Sequence, residues 1–371
     1  MRILHIYKDY YPPTCGGIEI AIHRMVEATR DACDDIRVMI CGRKAFTEWA
    51  EVEGTPVLKV GEWGRFLSAP AAPTFPYWLA RQEADILHYH IPNPTAVVGH
   101  LVARPRGRVL VHYHSDIIRQ KKWLGLYGPF RRRFLQQADR ILVTSPNYLE
   151  TSPDLQPVRE RCQVLPFGLP LSRFAQTPEV TAQAERLRRR YGERLVLFVG
   201  VLRYYKGLQV LIDAMRHVDA RLLVVGDGPL LPDLIKHVQD MPGGDKVAFV
   251  GQVESVVPYY YAADVFCLPS IYRSEAFGLV LLEAGACGLP LVATELGTGT
   301  SYINRHEETG LVVPPQDAEA LAGALNRVLG DEDLRQRFGE AARQRVETHF
   351  SLEAMGQNLL QVYRSLMETA P

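Results

Sequence analysis

Net charge is what this chain most plainly lacks. Its 42 Lys and Arg offset 42 Asp and Glu over 371 residues, leaving +0 with histidine neutral. That balance excludes a chain that is basic throughout and binds nucleic acid everywhere. Cysteine is scarce, with six residues at 15, 33, 41, 162, 267 and 287 and no Cys-x-x-Cys pair or metal-ligand spacing. They read as free thiols of a reducing compartment, and a disulfide scaffold is ruled out. No uncharged apolar stretch reaches ~18 residues; the longest candidate, from Gly278 to Thr294, carries Glu283. A bilayer-spanning helix is therefore not expected. The opening Met1-Arg2-Ile3-Leu4-His5-Ile6-Tyr7-Lys8 has no apolar signal-peptide core and reads as a strand, so a cytoplasmic protein is expected. With 47% hydrophobic residues and no net charge, wholesale disorder is excluded as well.

What the chain does have is a regular alternation of short apolar runs and helical patterns. Ile3–Tyr7, Ile36–Cys41, Ile86–His90, Val109–His114, Ile141–Ser145 and Val164–Phe167 read as strands of a first series. A second series follows at Leu195–Gly200, Leu222–Gly226, Val247–Gly251, Val265–Pro269 and Leu291–Thr294. Near-continuous Val, Ile and Leu strands separated by helices indicate parallel sheets covered on both faces. The fold class is α/β, with two Rossmann-like, doubly wound domains over 1–175 and 176–350. The helical segment 351–371 has no strand after it and is expected to pack back on the first domain.

The most informative segment is Ser274-Glu275-Ala276-Phe277-Gly278-Leu279-Val280-Leu281-Leu282-Glu283-Ala284. Two glutamates eight residues apart on one straight helix would be turned about 80° from each other. Glu275 is therefore assigned to a loop after a strand and Glu283 to the second turn of a helix starting at Gly278. That helix start, with its free N–H groups and dipole, suits an anion such as a pyrophosphate. Glu283 then suits ribose hydroxyls, although a merely solvated Glu283 on an amphipathic helix fits the pattern too. Val199-Gly200-Val201-Leu202-Arg203-Tyr204-Tyr205-Lys206-Gly207 puts two cations in another strand-to-helix turn, and Val225-Gly226-Asp227-Gly228-Pro229 forms a third. Ligands of such sheets bind at the carboxyl ends of the strands. Surface salt bridges would account for Lys206 equally well. Asp331-Glu332-Asp333, the one Asp-x-Asp, reads as a helix cap rather than a cation site.

With these residues on the page, the chain resembles the retaining GT-B glycosyltransferases of family 4, essentially over its whole length. The likeness is carried by Glu275-x7-Glu283, the Lys206-Gly207 turn, Gly226-x-Gly228 and Val250-Gly251, in that family's order. It implies a GT-B fold with two domains facing a central cleft, in which Arg203 and Lys206 hold the donor diphosphate. It further implies a nucleotide base near Phe249–Glu254, hence near Val250 and Val253, and a ribose on Glu283. The donor sugar would lie against Glu275, Phe277 and Gly278, while the amides of Gly278, Leu279 and Val280 would stabilise charge on the leaving diphosphate. His114, Glu275, Lys206 and Arg203 would form the catalytic set. The family's Gly-Arg is missing, because Val201 follows Gly200; Arg203 is expected to substitute. Thr294-Glu295-Leu296-Gly297-Thr298-Gly299-Thr300-Ser301-Tyr302 resembles the loop of bacterial transferases that use GDP-mannose or GDP-rhamnose for surface polysaccharide. A retaining hexosyltransferase without a metal or other cofactor is thus expected. A UDP-sugar donor, a nucleotide-sugar epimerase of the same fold, and a non-catalytic nucleotide-sugar or membrane-binding protein are the alternatives.

On the N-terminal side, Cys15-Gly16-Gly17-Ile18-Glu19 follows the first strand, and the two glycines let backbone approach a ligand. The resemblance turns this loop toward the donor phosphate. His88-Tyr89-His90 and His112-Tyr113-His114 each place two histidines on one face of a strand. Zinc ligation and buried histidines bonded to backbone are both open readings; the resemblance puts His114 beside the donor sugar and acceptor. Asp116 is a candidate acceptor contact or a solvated carboxylate.

The zero net charge is a cancellation: residues 1–175 carry +6 and the remainder −6. Residues 104–140 alone carry +8, with aromatics interleaved at Lys121, Lys122, Trp123, Phe130, Arg131, Arg132 and Arg133. Such a stretch suits an anionic inner-membrane surface, a lipid-linked acceptor, or a solvated helix with Trp123 in the core. A nucleic-acid partner is not expected.

Overall fold

The computed structural model describes residues 1–12, 16–66, 69–116 and 121–368; at 66 and 121–126 it describes the backbone alone. The chain forms two compact units, Met1–Gly168 with Leu352–Pro371, and Leu169–Ser351. The expected division at 175/176 lies later than this one, because the residues just after Gly168 bond into the second unit. Leu169 N–H donates to Phe350 O at 2.8 Å, and the Tyr261 hydroxyl donates to Phe174 O at 2.8 Å.

The first unit is built on an eight-stranded sheet: β1 (Arg2–Ile6), β2 (Asp35–Gly42), β3 (Glu48–Val52), β4 (Thr55–Gly61), β7 (Ile86–Ile91), β8 (Arg108–Tyr113), β9 (Arg140–Val143) and β10 (Cys162–Val164). A small ribbon of β5 (Arg65–Phe66) and β6 (Ala69–Pro70) lies apart from it. The order is β10-β9-β8-β7-β1-β2-β4-β3, all parallel except β3 on β4. That hairpin is absent from the sequence expectation. It turns on Glu53 (φ 48°) and Gly54 (φ 73°), the two-residue turn whose backbone twist matches that of its strands. Helix Leu352–Glu368 packs on helix Gly17–Thr29, with Gly356 against the backbone and Cβ of Ala28. Met355 and Tyr363 are buried beneath it.

The second unit has six parallel strands: β11 (Leu195–Val199), β12 (Arg221–Val225), β13 (Val247–Gly251), β14 (Val265–Leu268), β15 (Leu291–Thr294) and β16 (Gly310–Val313). Their order, β13-β12-β11-β14-β15-β16, is that of the doubly wound dinucleotide-binding sheet. The order in which the chain fills the sheet switches sense between β11 and β14, which makes these two strands neighbours and sets the loops after them side by side. β11 and β14 are buried along their whole length, as apolar runs covered by helices on both faces must be. Asp331 caps the late helix by accepting from Leu334 N–H at 2.9 Å. Among the described residues no helix is long and apolar enough to cross a membrane.

Candidate active site

The loops that follow β11 and β14 bring Lys206 and Glu275 together. Lys206 ends a single turn, Tyr204–Lys206, and its ammonium lies 2.5 Å from Glu275 Oε2, with both residues 8% exposed. Ser270 Oγ donates to the same carboxylate oxygen at 3.2 Å. Gly207 must be glycine: it has φ 64°, and a Cβ there would meet Pro269 O at 2.1 Å. The close approach of the two loops depends on that missing side chain. Burial works against the Lys206 charge, but Glu275, Tyr205 and Glu283 around it outweigh burial and raise its pKa above the ordinary lysine value. The lysine is thus held as a cation inside the protein, where these two loops meet.

Gly278, with φ 91°, starts helix Leu279–Ala286, whose first amides have no acceptor within the helix. Glu283 sits in its second turn and accepts from the Tyr260 hydroxyl at 2.9 Å. Glu275 lies before the helix, in the loop, where Thr298 Oγ1 donates to its carbonyl at 2.8 Å. The site therefore offers a buried cation, a helix start and two carboxylates, which together suit an anion carrying hydroxyl groups.

The other expected donor contacts stand around the Lys206–Glu275 pair. Arg203 is exposed. Gly226 and Gly228 stitch their turn to the preceding one, where Leu202 N–H donates to Asp227 O at 3.0 Å and Gly200 N–H to Val225 O at 3.0 Å. Val250 and Val253, around the end of β13, are half-buried, as are Leu279 and Val280. The Phe277 ring is turned into the unit. It is 3% exposed, stands edge-on to Phe350 at 6.2 Å and lies under Gly299.

In the first unit, Gly16 caps and Gly17 opens helix Gly17–Thr29, and the Glu19 carboxylate folds back over Gly16. Cys15 lies outside the described residues. His88, His90, His112 and His114 share one face of β7 and β8 with His5 of β1, and all five are buried. His5 Nδ1 is 3.0 Å from His90 Nε2, and His90 Nδ1 is 2.9 Å from His114 Nε2. His88 Nδ1 is 2.9 Å from the Tyr363 hydroxyl. Burial pushes His5 and His114 down to about 3 and the other three well below the ordinary imidazole value, so all are neutral at pH 7. Ligand nitrogens of His5, His88 and His90, and of His90, His112 and His114, lie within 4.8 Å of one another. Several of these nitrogens are engaged with each other, and the His112 and His114 rings stack at 9°. Parallel rings aim their lone pairs side by side rather than at one point, a poor tetrahedral arrangement.

Asp116 is held internally, accepting from the Tyr113 hydroxyl at 2.8 Å and the Ser152 hydroxyl at 2.7 Å. Arg131, expected on a membrane-facing surface, is 9% exposed and ion-paired to Asp154 at 2.5 Å. Its helix turns it inward while Phe130, 47% exposed, and Arg132 and Arg133 remain outside. The side chains of Lys121, Lys122 and Trp123 lie outside the described residues.

Two family models divide the chain between them: a glycosyl transferase 4-like domain over residues 16–168 and glycosyl transferases group 1 over 180–345. The chain is 35% identical over 380 residues to O-antigen chain mannosyltransferase C of Escherichia coli, covering all of both chains. It belongs to the group 1 glycosyltransferases. A D-rhamnosyltransferase of Pseudomonas aeruginosa, WbpZ, is 37% identical over 95% of this glycosyltransferase and 92% of its own length. Among solved structures, a sucrose-phosphate synthase of Thermosynechococcus elongatus superposes with a TM-score of 0.81, at 27% identity and full coverage of both chains. Anabaena HepE in complex with UDP gives 0.78 at 18% identity, covering 98% of this chain and all of that one. The fold is thus GT-B.

Sequence reasoning about this glycosyltransferase missed several residues. Ser270 and Tyr260 orient the two glutamates, and Arg273 fastens the 294–302 loop by donating to Leu296 O and Gly297 O. Asn93, fully buried after β7, accepts from Ala96 N–H, and its Nδ2 has no partner among the described residues. The pattern Asn93-Pro94 before a helical run was the signal for this cap.

Two predictions follow from burial. Lys206→Met leaves the Glu275 carboxylate buried without its cation and should cost about 3 kcal/mol in urea unfolding. Adding Glu275→Gln should restore most of that stability while transfer stays abolished; strictly additive losses would rule out the coupling. The histidines act on stability with the opposite sign. They stay neutral in the fold but take protons once the chain unfolds, so stability is full above about pH 6.5 and falls as pH drops toward 4. His112→Leu, removing a buried ring with no hydrogen-bond partner among the described residues, should reduce the loss between about pH 7 and 5 by about 2 kcal/mol. An unchanged pH dependence of unfolding would contradict this.

Proposed function

We propose that this protein transfers a mannosyl or rhamnosyl-type residue from a GDP-sugar to a saccharide or lipid-linked acceptor of surface polysaccharide. The configuration at the anomeric carbon is retained and no divalent ion takes part. The observation that carries the reading is the buried Lys206–Glu275 pair beside the helix start at Gly278. As the nucleoside diphosphate leaves, negative charge grows on its phosphates. A fixed cation and helix amides answer that charge without having to reorganise. Arg203, exposed at the same turn, joins them once the donor is bound. Glu283 takes the ribose hydroxyls and Glu275 faces the sugar. Gly16 and Gly17 approach the phosphates, and His114, held neutral, bonds a hydroxyl of the transferred sugar. The full-length relatives, a mannosyltransferase and a D-rhamnosyltransferase, support the choice of hexose and of polysaccharide synthesis. The protein works in the cytoplasm at the inner membrane, where Phe130, Arg132 and Arg133 meet anionic headgroups.

A ligand that binds only the folded state raises the melting temperature. GDP should do so and UDP and ADP should not; a shift with UDP alone would reject the donor assignment. With GDP-mannose or GDP-rhamnose and a glycolipid acceptor, turnover should persist in EDTA, and NMR of the product should show the donor's anomeric configuration. Interconversion of nucleotide-sugars without acceptor would indicate an epimerase. For the surface, Arg132→Ser with Arg133→Ser and Phe130→Ser should release the protein from phosphatidylglycerol vesicles in co-sedimentation, without loss of soluble-acceptor activity. Retained co-sedimentation would indicate a solvated helix.

A further inference from the structure

The histidines of the first unit form a continuous bonded series rather than a mere cluster. It runs from His88 Nδ1 to the Tyr363 hydroxyl at 2.9 Å, from that hydroxyl to His5 Nε2 at 3.4 Å, and on through His90 to His114. Its two ends, His88 Nε2 and His114 Nδ1, are buried and have no partner among the described residues. A neutral imidazole has one N–H and one bare nitrogen. Each contact needs one donor and one acceptor, so fixing the proton on His5, His90 or His114 fixes it on the other two. Tyr363 could accept from both His88 and His5, but its own buried O–H would then lack an acceptor among the described residues. Two registers satisfy every link and use that O–H as well. In one, His114 carries its proton on Nε2 and His88 has a buried Nε2–H. In the other, His5, His90 and His114 are all protonated on Nδ1, and His88 keeps a bare Nε2.

The ends are not equivalent. His88 is 0% exposed in the sheet, whereas His114 stands just past the end of β8 and is 2% exposed. A buried N–H without an acceptor is rarer and costlier than an under-used acceptor. Both end nitrogens are buried, but His114 stands at the sheet edge where the sugar is proposed to bind, so the spare proton belongs there. The geometry points to a tautomer relay, in which Tyr363, His5 and His90 are positioning residues that hold the proton of His114 on Nδ1. His114 then presents an N–H donor, never a bare nitrogen, to an oxygen of the transferred sugar. The inference rests on the proposed role of His114 toward that sugar, but the relay itself exists in the free protein. It also assigns work to the C-terminal helix: Tyr363 enters the series from Leu352–Glu368, 249 positions after His114 in the chain.

The test is histidine-selective 15N NMR of the full-length protein without ligand. In the wild type, Nδ1 of His5, His90 and His114 should each resonate as a protonated, pyrrole-type nitrogen. Scalar coupling across the N–H···N bonds should link His5 to His90 and His90 to His114. Tyr363→Phe removes two links, to His88 and to His5, without touching His114. It should move His114 toward the Nε2–H form that a free imidazole prefers, and lower kcat roughly five- to tenfold with the donor KM little changed. Tyr89→Phe removes a buried hydroxyl bonded to His100 at 2.8 Å, off the series, and should leave the His114 tautomer as it is. A bare His114 Nδ1 in the wild type, or missing couplings, would overturn the relay, as would a His114 tautomer indifferent to Tyr363→Phe. If Tyr363→Phe does not fold, the wild-type couplings and tautomers decide alone. Correct tautomers with an unaltered kcat in Tyr363→Phe would leave the relay standing as a structural fact and reject the role of His114 toward the sugar.

Discussion

Parallel strand pairing is the constraint on which the rest of this molecule depends. A parallel ladder sends every strand of a sheet out through the same edge, so the loops after β11, β12, β14 and β15 must gather there. Each such loop runs into a helix or single turn, which places unbonded amide groups at that edge as well. The order β12-β11-β14 makes β11 and β14 neighbours, so the loops after them start side by side. Lys206 and Glu275, 69 positions apart in the chain, meet at 2.5 Å for this topological reason. The same logic in the first unit lines up the ends of β1, β7 and β8, where Gly16, Asn93 and His114 follow their strands.

Each unit buries ionisable side chains, with opposite results. Lys206 and Glu275 are taken from water together, so the attraction between them offsets desolvation and the lysine keeps its charge. The five histidines have no carboxylate partner among the described residues; burial, helped at His88, His90 and His112 by the neighbouring imidazoles, keeps them neutral. One cluster is therefore an electrostatic device and the other a hydrogen-bonding one. Each neutral imidazole has one donor and one acceptor to satisfy, and bonding the imidazoles to each other and to Tyr363 does so along the series. His112 is the exception, stacked between His88 and His114 with neither nitrogen bonded among the described residues.

The strand alternation, the doubly wound class and the loop-then-helix placement of the two glutamates were legible because each is a local pattern of apolar period and turn residues. Most boundaries were legible to within a residue or two: His114, read as the end of a strand, stands one position beyond Arg108–Tyr113, whereas Val164–Phe167 overlaps the observed Cys162–Val164 at one residue only. The β3–β4 hairpin was missed because Glu48–Val52 is half exposed and charged, unlike the buried runs around it. Ring directions were not legible at all. Phe277 sits in a glycine-rich, donor-like motif yet packs on Phe350, and Arg131 sits in a run of three arginines yet is drawn inward by Asp154. Partners supplied by distant chain, such as Tyr363 for His5 and His88, leave no trace in any local window.

The charge asymmetry shows why counting is a poor guide to a surface. Residues 104–140 sum to +8, but part of that sum never reaches solvent as free charge. The Arg108–Asp139 pair at 3.2 Å is already netted within it, but Arg131 pairs with Asp154, which lies outside the counted stretch. Arg131 also anchors a network in which Asp154 and Asp116 share the Tyr113 hydroxyl, so its charge braces the base of the loop after β8. What this leaves for an anionic partner on the described part of the helix is Arg132 and Arg133 beside the exposed Phe130. A patch of that size draws on about 1 kcal/mol per cation near an anionic lipid surface, enough to favour transient contact and too little to anchor the protein without help from an acceptor or further cations.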